Sequence, residues 1–204
     1  MDEILYKYRS CQNIDRIVDI LIRKRLYAPS YTELNDVFEG YFKAQIPVKE
    51  YSSEFWTKFK QMHVCSLSKD PKNPLLWAHY ADGCKGCCIG LTVPSNKLWV
   101  KKTIDYSSEH PELDLSLSVE ENFERILSTK SKIWNYEDEV RFLKNVSSNQ
   151  SCFLPIRVKE IYFGERMKSE YKTLLIRIIN LLNKGQNVAN QIQIRSMSKT
   201  ELLN

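Results

Sequence analysis

Three short groups of residues, in chain order, have the types needed to break a bond between a ribose and a nitrogen. Tyr8-Arg9 sets a guanidinium beside an aromatic ring near the end of an alternating segment. A fixed guanidinium can grip a phosphate or ribose through two parallel hydrogen bonds. Ser66-Leu67-Ser68 is a hydroxyl pair spaced by two, so that on a strand both hydroxyls face one side. Such hydroxyls can buttress a bound ribose or a neighbouring carboxylate. Glu137-Asp138-Glu139 repeats the spacing with carboxylates at the mouth of another strand. Two carboxylates on one edge can stabilise an oxocarbenium-like centre and prepare a nucleophile. The set suits cleavage of an N-glycosidic bond. A solvated strand edge, with Glu137 and Glu139 paired to Arg141 and Lys144, is the structural alternative.

The order arginine, Ser-x-Ser, Glu-x-Glu resembles the arginine–serine–glutamate class of NAD-dependent ADP-ribosyltransferases, although Leu67 stands where that class usually has threonine. The resemblance implies that NAD is the substrate. It implies that Arg9 and Tyr8 hold the dinucleotide, that Ser66 and Ser68 shape the nicotinamide pocket, and that Glu139 contacts the nicotinamide ribose. Glu137 would position an acceptor, protein or nucleic acid, with Asn135 and Tyr136 on the loop that meets it. A second resemblance covers most of the chain. Leu5-Tyr6-Lys7-Tyr8, Asn35-Asp36-Val37-Phe38-Glu39, Leu76-Trp77-Ala78-His79-Tyr80-Ala81-Asp82, Lys85-Gly86-Cys87-Cys88-Ile89 and the run from Lys132 to Arg141 are similar to a large bacterial family known as a domain of unknown function. That likeness implies a bacterial cytosolic or phage-related protein, and draws Asn35, Asp36, Glu39, Trp77 and Tyr80 in as pocket residues. Each also has a plainer role: Trp77 and Tyr80, three apart on one helix, can pack a core, and Asn35-Asp36 can make a turn or cap.

Other chemistries are poorly supplied. Six glycines provide neither a phosphate-binding P-loop nor a dinucleotide fingerprint. Cys84 and Cys87 have a zinc-compatible spacing, but the nearest second pair, His63 and Cys65, is one residue apart, and small buried thiols are the simpler reading. The chain carries 30 basic and 25 acidic residues; 9 of the former and 4 of the latter lie in residues 151–204. That basic quarter is either a solvated helix face or, in a non-catalytic, defence-associated alternative, a nucleic-acid surface built from Arg157, Lys168, Lys172, Arg177 and Arg195.

The elements that must position these groups follow from local pattern. Residues 4–9 alternate as a strand, and Asn13 opens a helix through Ile14, Ile17, Val18, Leu21 and Ile22. Leu26-Tyr27-Ala28 is a short strand. Ser30 with Glu33, and Ser118 with Glu121, make capping boxes. Phe55, Trp56, Phe59 and Met62 mark a helix leading into a strand over 63–68. Asn73-Pro74 starts a helix that Gly83 stops. Strands are expected over 87–93, 98–106, 137–143, 152–163 and 191–196. Tyr171, Leu174, Leu175, Ile178 and Leu182 define the clearest amphipathic helix.

These elements lack a regular strand–helix rhythm, so the class is α+β: a single domain over 1–204, with a mixed split β-sheet and flanking helices. The ADP-ribosyltransferase resemblance implies that fold. At 204 residues the chain can bury a core without staples, so its six cysteines are expected to be reduced. Two glycosylation sequons, at 145–147 and 149–151, are then idle. An acidic Met1-Asp2-Glu3 start and the lack of any long apolar run point to a cytoplasmic protein with no membrane partner.

Overall fold

A computed structural model describes residues 3–36, 38–44, 52–146 and 150–198. The two sequons fall partly on 147–149, outside the described residues, as does Val37. The architecture is mixed α+β. One seven-stranded sheet has the hydrogen-bonded order β11-β10-β4-β1-β3-β8-β5, and two further sheets pair β2 with β9 and β6 with β7. The strands are β1 (Leu5–Arg9), β2 (Arg25–Tyr27), β3 (Met62–Ser68), β4 (Cys87–Thr92), β5 (Val100–Thr103), β6 (Asp105–Ser107), β7 (Thr129–Ser131), β8 (Glu139–Asn145), β9 (Phe153–Pro155), β10 (Arg157–Gly164) and β11 (Gln193–Met197). The helices are α1 (Ile14–Arg23), α2 (Ser53–Lys60), α3 (Pro74–Tyr80), α4 (Val119–Ile126) and α5 (Ser169–Asn183). No helix among the described residues is long and apolar enough to cross a membrane. The chain groups into two compact units: Met1–Leu26 with Leu67–Ser95 and Pro155–Asn204, and Tyr27–Ser66 with Asn96–Leu154.

In the first unit, β4 lies antiparallel to both β1 and β10, and β11 runs parallel to β10. Registers Tyr6↔Gly90 and Gly90↔Glu160 put these three on one face, next to Tyr8, Cys88 and Tyr162. Gly90 has no substitute there, because a Cβ would come within 2.6 Å of the Glu160 side chain. Leu5, Ile89, Leu91, Ile161 and Phe163 are buried, as are Ile17, Ile20 and Leu21 of α1 and Leu175 and Ile179 of α5. Ser10, rather than Asn13, accepts a capping hydrogen bond, from the Gln12 amide, and starts a short 3-10 turn ahead of α1. At the other end of α1, Lys24 takes the left-handed stop.

In the second unit, Phe59, Met62, Val64, Leu113, Phe123, Ile126, Leu127 and Leu143 form one core. Phe59 lies at its centre, stacked on Tyr31 at 4.3 Å and on Phe123 at 4.7 Å. Both capping boxes form as read from sequence, and Asn73 caps α3 with Pro74 in its first turn. Two expected strands are broken. Residues 98–106 divide into β5 and β6 around Ile104, whose amide turns to the Glu139 carbonyl, and 152–163 divide into β9 and β10 around Ile156, whose amide binds the Lys24 carbonyl. Truncating the central ring tests this core: Phe59→Ala should cost about 3–5 kcal/mol in urea unfolding. A loss below about 1 kcal/mol would show that the aromatic stack is not what holds the unit.

Candidate functional site

Glu139 opens β8, and its carboxylate is the hub of a buried ion network. Arg141, two residues on and 1% exposed, donates Nε to Glu139 Oε1 at 2.7 Å and Nη2 to Oε2 at 3.4 Å. The same guanidinium reaches Glu39 through Nη1 at 2.5 Å and Nη2 at 2.9 Å, and gives Nη1 to the Leu127 carbonyl at 2.6 Å. From the other side Lys130, in the middle of β7, donates Nζ to Glu139 at 3.0 Å and to Glu137 at 2.5 Å. The Trp134 ring lies 5.0 Å from that ammonium. The Tyr106 hydroxyl accepts from the Glu139 backbone amide at 2.9 Å.

Glu137 and Glu139 do not follow strand alternation. Glu137 ends a 3-10 turn (Lys132–Glu137), Asp138 adopts a left-handed φ of 39°, and only then does β8 begin. The reversal at Asp138 still turns both carboxylates to one side, where Lys130 bridges them. Nor is this a solvated edge, since Glu137 and Glu139 are buried. Lys144 instead donates to the Ser151 carbonyl at 2.9 Å and lies over the Trp99 ring.

Burial works to raise the Glu139 carboxyl. The charges of Arg141 and Lys130, with hydrogen bonds from Arg141 and Ser66, outweigh it and hold the group well below the usual carboxylate range. At Glu39 the balance tips the other way: burial wins over Arg141, with the Glu139 charge adding to it, and the pKa is raised. Burial also lowers Lys130, but Glu139 and Glu137 more than compensate and its pKa ends up raised. The network therefore shifts its two Arg141-bound carboxyls in opposite directions, Glu139 down and Glu39 up.

The structure brings Ser66, Glu137 and Glu139 together in the second unit. Glu39 joins them, one of the residues suggested by the bacterial-family likeness. Tyr8, Arg9, Ser68, Trp77 and Tyr80 belong to the first unit. There Tyr8 is buried, donates its hydroxyl to the Asp70 carbonyl at 2.6 Å, and meets Trp77 edge-on at 5.5 Å. Trp77 is fully buried and donates Nε1 to the Pro71 carbonyl at 2.9 Å, a core role. Tyr80 is half-buried beside His79. Ser68 accepts from the Asp70 amide at 3.1 Å, closing the turn after β3. Arg9 pairs with Cys87 across β1 and β4, and Gly86 is needed beside it because a Cβ there would come within 2.1 Å of the Arg9 carbonyl oxygen. Lys130 and Tyr106 carry no signal in the sequence, being an isolated lysine and tyrosine on short strands.

None of the six cysteines is bridged in a disulfide, and Cys11, Cys65, Cys87 and Cys88 are buried. Among the described residues no three His, Cys, Asp or Glu side chains gather as a metal set. In the basic quarter, Arg157, Lys168 and Arg177 are exposed, whereas Arg195 is paired with Glu160 at 2.7 Å and lies over the Tyr162 ring. Comparison of the chain with protein-family models, curated proteins and solved structures finds no match in any of the three.

The network makes two stability predictions. Arg141→Met leaves Glu39 and Glu139 buried without their shared cation and should cost about 3–5 kcal/mol. For Glu139, a carboxyl lowered from its ordinary 4.5 stabilises the fold fully above that value and loses the contribution as pH falls. Glu139→Gln should therefore be less stable than wild type at pH 7, and the gap should begin to narrow as unfolding is measured below pH 4.5, without closing by about pH 3. A gap that does not change with pH would show that Glu139 is not held ionised.

Proposed function

We propose that this chain is an NAD-cleaving enzyme that transfers ADP-ribose, with its reacting centre at Glu139. The observation that carries the reading is a buried Glu139 carboxylate bound by Arg141 and Lys130, with Ser66 among the groups that hold it ionised. It joins the Ser-x-Ser and Glu-x-Glu pieces in the manner their residue types suggest, a hydroxyl buttressing a carboxylate. The resemblance assigns Arg9, which belongs to the first unit, to the dinucleotide.

In this reading the bond from ribose C1′ to the nicotinamide nitrogen breaks, and its electron pair leaves with nicotinamide, which becomes neutral. Positive charge then develops on the ribosyl group. A fixed, ionised carboxylate already desolvated by its surroundings stabilises that charge without having to reorganise. An acceptor or water adds its lone pair to C1′, and Glu137, held beside Glu139 by the shared lysine, takes the proton it sheds. In the nucleic-acid alternative Arg195 is already paired with Glu160, which leaves Arg157, Lys168 and Arg177 as its exposed cations.

Glu139→Gln should lower NAD turnover by roughly 10²–10³-fold, about 3–4 kcal/mol, with little change in NAD affinity. Glu137→Gln should lower the ratio of transfer to plain hydrolysis. Chromatographic assay of released nicotinamide, with labelled ADP-ribose to follow transfer, reads both. Equal turnover for wild type and Glu139→Gln, both folded, would sink the mechanism.

A further inference from the structure

The turn that delivers Glu39 to Arg141 carries two aromatic rings facing outward. Phe38 and Tyr41 are 53% and 61% exposed, and with the exposed His110 they form a closed triangle of rings. Centroids are 5.9 Å apart for Phe38–Tyr41, 5.6 Å for Phe38–His110 and 5.8 Å for Tyr41–His110. Core packing does not account for rings so exposed, yet their mount is firmly held. The Phe38 amide donates to Asp36 Oδ1 at 3.0 Å, and the Tyr41 amide to the Phe38 carbonyl at 3.1 Å. Gly40, at φ 77°, lies so close to the Tyr31 ring that a Cβ would come within 2.6 Å.

On the far side the Lys43 amide donates to the Pro111 carbonyl at 2.8 Å, and the Leu113 amide to the Lys43 carbonyl at 2.9 Å. Lys43 also pairs with Glu109 at 2.7 Å. These bonds tie the segment bearing Phe38 and Tyr41 to the one bearing His110. The rings meet edge-on or tilted, at 80° for Phe38–Tyr41, 47° for Phe38–His110 and 41° for Tyr41–His110, so they brace one another rather than share one flat face. A ring held this way offers its exposed face with little ordering entropy left to lose.

We propose that the exposed ring face of this cluster, Tyr41 or Phe38 braced by the other two rings, stacks the purine base of the nucleotide substrate. This rests on the NAD reading, which supplies a substrate with an adenine at the end opposite its scissile bond. The placement fits it: Glu39, between the two rings in sequence, is held by the same guanidinium that holds Glu139. A planar base offers a π-face to such rings, and each stacked base typically contributes a measurable share of affinity.

The test uses the whole chain and the double variant Phe38→Ala/Tyr41→Ala, whose exposed positions should leave the melting temperature unchanged. Adenosine monophosphate should bind wild type by calorimetry while ribose 5-phosphate does not, and the variant should bind adenosine monophosphate about ten-fold or more weakly. The kcat/KM preference for NAD over nicotinamide mononucleotide, which lacks adenine, should fall by about the same factor. Equal binding of adenosine monophosphate to wild type and variant, or none to wild type, overturns the platform. If wild type cleaves neither substrate, the enzymatic reading fails and the binding arm alone decides this one.

Discussion

The guanidinium of Arg141 fixes the second unit's site. A cation this deeply buried is tolerated only when its charge is neutralised and its donors are used. Arg141 meets that demand with Glu39, Glu139 and the Leu127 carbonyl, which come from three separate segments. The turn at 38–41, the chain just after α4 and the start of β8 are thereby tied to one planar fork. Glu139 is aimed by it, Lys130 is drawn to Glu139, and Glu137 to Lys130. Trp134 and Tyr106 close around the result, one beside the ammonium and the other on the Glu139 amide.

Stability alone is a poor reason to keep such a cluster. Well-packed apolar side chains of similar volume often do as well or better than buried ion pairs. What ions provide, and apolar groups do not, is a fixed field. Here that field divides two carboxyls by their surroundings: Glu139 is held well below the usual carboxylate range, while burial raises Glu39 above its ordinary value. Pairs of carboxyls pushed apart in this way are a common mark of acid–base and charge-stabilising sites. Glu160 has a structural part: it accepts from Tyr6, Tyr162 and Arg195 and ties β1, β10 and β11 together.

Local signals were legible from sequence wherever a short-range hydrogen bond decides the structure. The Ser30–Glu33 and Ser118–Glu121 boxes and the Asn73-Pro74 start need only residues within one turn, and all three form. Alternation failed at Glu137 because Asp138 reverses the chain through a left-handed residue, a conformation that no two-residue period encodes. Tyr106 and Lys130 were invisible for a different reason. Tyr106 meets Glu139 from 33 residues away, and Lys130 sits on a three-residue strand with no pattern to mark it. Trp77 and Tyr8, drawn in by resemblance, pack edge-on with both polar tips bound to backbone carbonyls, so packing claims them first. The carboxylate pair, Ser66 and the pairing with Arg141 were readable from sequence; Lys130, which stands where Lys144 was expected, was not.

The central claim is that the field around Glu139 serves the breaking of a ribosyl–nitrogen bond. The most direct measurement is a single-turnover experiment with protein in excess over NAD, followed by chromatography of the nucleotide products. The account predicts release of nicotinamide in step with the appearance of ADP-ribose, free or attached to an acceptor. NAD recovered intact after prolonged incubation with folded protein would contradict it.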